Sequence, residues 1–582
     1  MVEWLSRRLD NFLGRTQDRS MQVPPGLVCW LDGRPSNLMA LGLALQHLAV
    51  QSVYFVLPAA AAAAISPDPL DATRFLCLSI LAAAMWQTLQ LLTRGPVGSG
   101  YPIPATHSAA LLGAYMLTGH AGGSFGTISA MVLLAGLASI GLTFVMHRMR
   151  VLMPNEVAGV VVMLIGVALI SLGTRQLGLQ PGGIPPDSVG LGVVFGSLAM
   201  MVAVGLSRTR AAPFSVLIGA LVGVILSLSL APLPEGAGQV LGASAWIALP
   251  RPWLPDFTTV QPATLLAYLL ALVAMIATAA GSIAVFQRAA DAEWTRPDAP
   301  PLRRGLLANG LALSFAGLIG GAAPGPATAA VGLSIATGTL ARRIGWFGVP
   351  MLLTLALCPK LITLFVLTPA AVKAAMLFYV GGFIMAQGCQ LITVRLLDTR
   401  RTLVVAFGLC GGIVVAVAPQ IFLQLAPAIA SPLAFGAVVA FFTNLVTLPL
   451  VARRAEQTVT LGALAGRQAS DWFAGVAAAW GLKPQTARAA EHALSELAEL
   501  LTERGLAKLL LSARRAEDRV EITLAWPGEA LPERSRAGQA EDLLGPMEAQ
   551  ERFAVWLATR EAQSFTQRAT AEGTEARLVF ED

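Results

Sequence analysis

The sequence predicts an all-α polytopic membrane protein with a small α+β domain appended at its C-terminal end. Three observations carry this. Of 582 residues, 55% are hydrophobic and 13% charged, against roughly 25% charged in a soluble domain. Apolar runs of roughly 20 residues, long enough to cross a hydrocarbon core, recur as far as residue 451. After Arg454 they stop, and acidic residues gather. A soluble multidomain enzyme could not keep so apolar a surface wet, and a disordered scaffold would need low hydrophobicity with high charge. The net charge of +6 marks no nucleic-acid partner, because the arginines lie between apolar runs and not on one soluble face.

Residues 1–35 carry Arg7, Arg8, Arg15 and Arg19 without an apolar stretch behind a short basic start. They are expected to be a cytoplasmic N-terminal segment, not a signal peptide. Cys29, Cys77, Cys358, Cys389 and Cys410 are scattered without paired spacing, so they read as small packing residues and not as metal ligands or a disulfide framework.

The apolar runs are Leu38–Ile65, Phe75–Leu92, Ile103–Leu117, Ile128–Met146, Val157–Leu172, Val189–Leu206, Pro213–Leu230, Ala263–Phe286, Leu306–Ile319, Ala327–Leu340, Phe347–Leu367, Val372–Ile392, Leu403–Leu423 and Leu433–Val451. By length these make about fourteen spans. Cytoplasmic loops collect arginine and lysine, and the loops after even-numbered runs hold Arg94, Arg148, Arg150, Arg208, Arg210, Arg288, Arg303, Arg304, Arg342, Arg343, Arg395, Arg400 and Arg401. The opposite loops hold only Arg74, Arg175, Arg251 and Lys373. Both termini are therefore expected in the cytoplasm.

Fourteen divides into seven plus seven, and an odd number per half forces the halves into opposite orientations, the inverted repeat of secondary transporters. Corresponding runs three and ten are both broken: Gly98-Ser-Gly-Tyr-Pro-Ile-Pro104 precedes Ala105-Thr106-His107-Ser108, and Gly320-Gly-Ala-Ala-Pro-Gly-Pro326 precedes Ala327-Thr328-Ala329. Proline removes an amide donor and biases its predecessor towards extended geometry, so each Pro-x-Pro predicts a short extended stretch entering a half-helix. Extended backbone inside a bilayer must be buried or line a cavity. The two stretches are expected to meet near the midplane, with helix N-termini aimed at a common site.

Polar groups inside spans default to functional candidates. Gln46 and His47 lie in run one, with Gln51 and Tyr54 beyond; His107 follows the first break and could bond a heteroaromatic ring or carry a proton. Thr278 and Ser282 share a face of run eight. Thr328 sits where a half-helix starts and is a candidate N-cap. Runs one, three, eight and ten hold no Asp or Glu at this place.

At these residues the chain resembles the nucleobase–ascorbate transporters, also called the xanthine/uracil permease family. The resemblance rests on Gln46-His47, Gly95-Pro-Val-Gly-Ser-Gly-Tyr101, Pro154-Asn-Glu-Val-Ala-Gly-Val-Val-Val162 running into Leu-Ile-Gly166, Asp291-Ala-Glu-Trp-Thr-Arg-Pro-Asp298, Arg304-Gly-Leu-Leu-Ala-Asn-Gly310 and Val331-Gly-Leu-Ser-Ile-Ala-Thr-Gly338, in order over residues 36–452. It implies a core of spans one to four and eight to eleven, and a gate of spans five to seven and twelve to fourteen. A nucleobase such as uracil, xanthine or a related purine would be taken up between them, with a coupling proton or sodium ion and no other cofactor. Substrate contacts would come from Gln46, His47, Thr106, His107, Thr278, Ser282, Ala327, Thr328 and Ala329. Two of these depart from the family pattern, whose acidic residues in spans eight and ten fall here at Thr278 and Ala329. A bacterial inner-membrane location and a homodimer through the gate are expected.

Residues 455–582 are expected to form a cytoplasmic α+β domain: helices over Ser470–Leu482, Thr486–Arg504 and Gln550–Arg560, and strands over Leu506–Ala513, Val520–Trp526, Ser564–Ala569 and Ala576–Phe580. The order resembles the histidine-kinase-like ATPase fold, with Glu496 at that fold's ATP-binding helix. Leu500 and Trp526-Pro-Gly528 replace the other nucleotide-binding residues, so a nucleotide-free regulatory domain with a cytoplasmic protein partner is expected. Two further classes stay open for the whole chain: a non-transporting sensor signalling through this tail, and a small-anion transporter of the related sulfate-permease type.

Overall fold

The structure is a computed structural model and describes residues 21–149, 155–179, 186–207, 209, 211–230, 236–292, 294, 298–393, 397, 399–418, 432–447, 453–515, 519–532, 547–570 and 573–581. Helices dominate it. Among the described residues eight are long and apolar enough to cross a bilayer, or nine if one bent pair is a single span, and two shorter apolar helices accompany them.

The chain enters α1 (Asn37–Ser52), which passes through a 3-10 turn (Val53–Phe55) into α2 (Val56–Ile65). Ser36 caps α1 by accepting from the Met39 amide, and Asp68 caps α3 (Pro69–Leu91), which has Pro69 in its first turn; both devices satisfy or avoid orphan amides. Then come β1 (Ala105–His107), α4 (Leu112–His120), α5 (Phe125–Met149), α6 (Asn155–Gln176), α7 (Ser188–Leu206), α8 (Ser215–Leu230) and a short α9 (Ala237–Ala243). The second half holds α10 (Pro262–Ala290), α11 (Ala299–Ile319), β2 (Pro324–Pro326), α12 (Thr328–Ala336), α13 (Arg342–Ala356), α14 (Pro359–Val366), α15 (Ala370–Ile392), α16 (Thr399–Val417) and α17 (Pro432–Thr447).

Each expected apolar run falls on a helix, a strand with its helix, or a bent helix pair. The eleventh is the pair α13 and α14, bent by 77° where Pro359 cannot continue the preceding ladder. Helix α11 falls outside the long apolar set because it spends buried positions on Arg304, Asn309 and Ser314. The expected ends of the last two runs, beyond residues 418 and 447, lie outside the described residues.

Glycine lets the helices touch backbone to backbone, the usual basis of helix association without a hydrophobic drive. Between α6 and α15, a Cβ on Gly166 would fall 2.7 Å from the Gly381 carbonyl oxygen, and one on Gly388 would fall 2.8 Å from that of Gly159. Two connecting segments tie helix ends together. On one, Val28 and Cys29 donate to the Gly338 carbonyl at 2.9 and 3.1 Å, Leu340 returns a bond to Cys29, and the Trp30 indole donates to Ala290 at 2.8 Å. On the other, Trp253 donates to Ile319, Asp256 donates to Gly126, and Arg74 stacks 3.5 Å from the Trp253 ring centre.

The C-terminal unit runs β3 (Arg453–Thr460), α18 (Ala465–Trp480), α19 (Pro484–Glu503), β4 (Lys508–Arg515), β5 (Arg519–Trp526), α20 (Met547–Thr559), β6 (Ser564–Thr570) and β7 (Gly573–Glu581). Its sheet is wholly antiparallel in the order β3-β4-β5-β7-β6. Alternate residues Leu509, Leu511, Val520, Ile522, Leu524 and Leu578 form a core with Phe473, Leu494, Leu497 and Leu501 of the helices, the period-two pattern of a sheet covered on one face. Strand β3 was not among the expected strands. Among the described side chains of its sequence, Arg-Arg-Ala-Glu-Gln-Thr-Val-Thr, only Val459 is buried, and the strand carries little apolar alternation to announce it.

Candidate substrate site

The two breaks meet, the first through the residues that follow Pro104 and the second through Pro324–Pro326 itself. Strands β1 and β2 pair antiparallel, with Ala105 opposite Pro326, Thr106 opposite Gly325 and His107 opposite Pro324. Pro324 and Pro326 have no amide to donate, so bonds at the ends close the ladder: Ser108 to the Ala323 carbonyl at 2.9 Å and Ala327 to the Pro104 carbonyl at 2.8 Å. Strand β1 leads through a 3-10 turn (Ala109–Leu111) into α4, and β2 leads directly into α12. Two helix N-termini, each a centre of partial positive charge, therefore flank one three-residue ladder.

Side chains from neighbouring helices hold buried amides of these stretches. The Ala322 amide donates to Ser79 Oγ at 2.8 Å, and the Ala323 amide to the Tyr115 hydroxyl at 2.9 Å. Ala105 donates to Gln87 Oε1 at 3.1 Å; Gln51 donates to the same oxygen at 2.9 Å, and Gln87 Nε2 donates to the Gly345 carbonyl at 3.0 Å. Tyr115 packs edge-on against Tyr268, whose hydroxyl lies 3.0 Å from that of Thr118. Ser79, Gln87 and Tyr115 were not among the sequence candidates. Ser79 and Gln87 stand eight residues apart and so share a face of α3, and that polar spacing inside an apolar run was the available signal.

The expected site residues divide into groups. Thr106 and His107 lie in the ladder, both buried; Thr106 Oγ1 forms no hydrogen bond of normal geometry, and the His107 ring lies against the Ser79 backbone. The His107 ring sits edge-on to Phe55 with 5.7 Å between ring centres. Gln46, on α1, also has a buried side-chain oxygen without a bond, and α1 packs against β1. An unmet buried polar atom costs about 1–3 kcal/mol, so these groups gain from any ligand or water that meets them.

His47 is occupied differently, its Nε2 lying 3.1 Å from Ser334 Oγ and joining α1 to α12. Thr278 and Ser282 donate their hydroxyls to the carbonyls of Ala274 and Thr278 on their own helix, at 2.8 and 2.9 Å, leaving them only acceptor lone pairs. Ala327 is buried and occupies the N-cap of α12 without a side-chain bond. The capping role expected of Thr328 is therefore corrected: Ala327 is the N-cap, its carbonyl accepting from the Ala330 and Val331 amides at 2.9 and 3.1 Å, and Thr328 is the first helical residue. The side chains of Thr328 and Ala329 lie outside the described residues.

A model of the permease family that includes the xanthine and uracil permeases matches residues 38–421. Xanthine permease XanQ of Escherichia coli K12 is 26% identical over 447 residues, covering 72% of this chain and 93% of that one. Xanthine permease XanP of the same organism is 26% identical over 449 residues, covering 73% and 95%. Nucleobase transporter PlUacP of Paenibacillus larvae is 23% identical over 395 residues, covering 67% and 88%. Among solved structures, the murine anion transporter Slc26a9 aligns with 12% identity over 72% of this chain and 70% of its own, at a TM-score of 0.49. The chain belongs to the xanthine/uracil permease family, as a divergent member. It is a multi-pass membrane transporter and not an enzyme.

Proposed function

We propose that the chain is a secondary transporter of a nucleobase, such as uracil, xanthine or a related purine, working by alternating access, with the crossing of β1 and β2 as its binding site. The observation that carries this is the meeting of the two breaks in one ladder flanked by two helix N-termini, with buried polar side chains at Thr106 and His107 on β1 and at Gln46 on the adjoining α1. A planar heterocycle with alternating donors and acceptors would satisfy them, and Phe55 offers an aromatic edge beside His107. The named activity of the sequence relatives favours a nucleobase over the small anion of the sulfate-permease alternative.

Fourteen spans in a seven-plus-seven inverted repeat organise this reading. In such a repeat, elements near the axis pack on their own counterparts. Strand β1 pairs with β2, α3 packs against α11, and α6 packs against α15; these correspond to spans three and ten, two and nine, and five and twelve. Core and gate would meet where Ala110, Ala114, Ala267 and Ala271 come together with Val161 and Leu433, an apolar and mostly small-residue lining. The reading includes cytoplasmic termini, a bacterial inner-membrane location, a gate-mediated homodimer and a regulatory tail with a cytoplasmic partner.

Uptake of labelled uracil, xanthine and uric acid into proteoliposomes tests the function. Saturable entry of one of these supports it; binding without flux would instead support the sensor. Thr328→Leu and His107→Ala are each expected to abolish ligand-induced thermal stabilisation, and unchanged stabilisation in both would place the site elsewhere.

A further inference from the structure

We propose that the substrate site is electroneutral and that the chain equilibrates a nucleobase across the membrane without carrying a cation with it. This rests on the permease reading above. The segments that build the crossing, α1, the turn Val53–Phe55, β1, α4, β2 and α12, contain no Asp, Glu, Lys or Arg. Helix α10, beside them, has one charged residue, Arg288 in its last turn, ten residues from Thr278 and thus roughly 15 Å along the axis. The charged residues of α3 are Asp71 and Arg74, both in its first two turns. Asp71 bonds Ser66 at 2.8 Å, and Arg74 donates to the carbonyls of Arg251 and Pro252. Asp71 precedes Ser79, the α3 contact to β2, by eight residues, or roughly 12 Å.

The remaining titratable groups are histidines, tyrosines and a cysteine held by neighbouring groups or by packing. His47 is engaged by Ser334. His107, itself in the ladder, sits edge-on to Phe55. Tyr115 takes the Ala323 amide, and Tyr268 meets Thr118. Tyr54 and Cys77 are buried, and His120 closes α4 at the end away from the ladder.

A travelling proton or sodium ion would enter a site where two helix N-termini already supply positive potential and no carboxylate offsets it. A charge without a partner in a low-dielectric interior is strongly disfavoured. A neutral base meets no such barrier, because hydroxyls, amides and imidazole nitrogens are the groups it needs. Translocation without a cation then moves substrate only down its own gradient.

The test uses the full chain in liposomes with labelled xanthine and, separately, labelled uracil. The final inside-to-outside ratio is measured with no gradient, with an inward sodium gradient, and with an inward proton gradient. In the last case both compartments are kept acidic enough for the base to stay neutral. Saturable entry that reaches the same ratio, near one, in all three conditions is expected. A ratio that climbs with the proton gradient, by about tenfold per pH unit at full coupling, or with the sodium gradient, overturns this proposal and leaves the permease reading standing. Absence of saturable entry in every condition overturns the permease reading itself, and this proposal with it.

Discussion

Thr106 stands opposite Gly325 in a ladder only three residues long, and that pairing joins the two halves of the transporter at its candidate site. Backbone that leaves the helix inside an apolar span must still satisfy its polar groups. Here each break supplies part of the answer for the other, and side chains from α3 and α4 supply the rest.

Gln87 carries the heaviest share, because it accepts from Ala105 and Gln51 and donates to Gly345. Gln87→Leu leaves two buried donors, the Ala105 amide and Gln51 Nε2, without this partner, each worth about 1–3 kcal/mol. A clear fall in Tm of the detergent-solubilised protein and loss of uptake are expected. Normal Tm and KM would show that the ladder does not depend on this side chain.

Three glycines should respond differently to alanine. A Cβ on Gly321 would sit 2.8 Å from the Leu78 carbonyl oxygen, so Gly321→Ala should cost about 1–3 kcal/mol through overpacking. Gly320 has φ +79° and abuts Trp253, so strain adds to the clash and Gly320→Ala should be worse. Gly281 faces open space, and Gly281→Ala should leave Tm unchanged. Equal effects at all three, read by thermal unfolding, would contradict the packing described.

Ser334 and His47 test whether that histidine is mainly structural. Ser334→Ala removes the partner of a buried ring nitrogen, at a cost of about 1–3 kcal/mol. Lower Tm with KM close to wild type is expected; a large rise in KM with unchanged Tm would move His47 into direct contact with substrate.

Asp256 gives a pH-dependent handle outside the spans. Hydrogen bonds from the Thr258 amide at 3.0 Å and hydroxyl at 2.6 Å hold its carboxyl below the usual carboxylate range. A folded pKa below the unfolded one means that the turn's extra stability is present above the unfolded pKa and is lost as pH falls through the folded pKa. Amide exchange over residues 256–260, corrected for intrinsic rate, should accelerate on acidification in wild type and stay flat in Asp256→Asn. Identical profiles would remove the carboxylate from the account.

Length and proline spacing made much of this legible in advance. The apolar runs marked the helices, and the second Pro-x-Pro segment is itself a strand, while the first lies just ahead of the strand Ala105–His107 that pairs with it. What stayed hidden was local and polar. Strand β3 has no apolar alternation, so its register depends on β4 and not on its own pattern. Ser79 and Gln87 looked like isolated polar residues in an apolar run, because their partners lie 243 and 18 residues away in the chain. The Thr328 cap missed by one residue, since the helix takes its first bonds on the Ala327 carbonyl.

The most direct test of the central claim is a cryo-electron-microscopy map of the protein saturated with xanthine or uracil. Density for the base within hydrogen-bonding reach of Thr106 and His107, flanked by the starts of α4 and α12, is the result expected. A well-ordered base bound elsewhere, with the β1–β2 ladder bare, would contradict it.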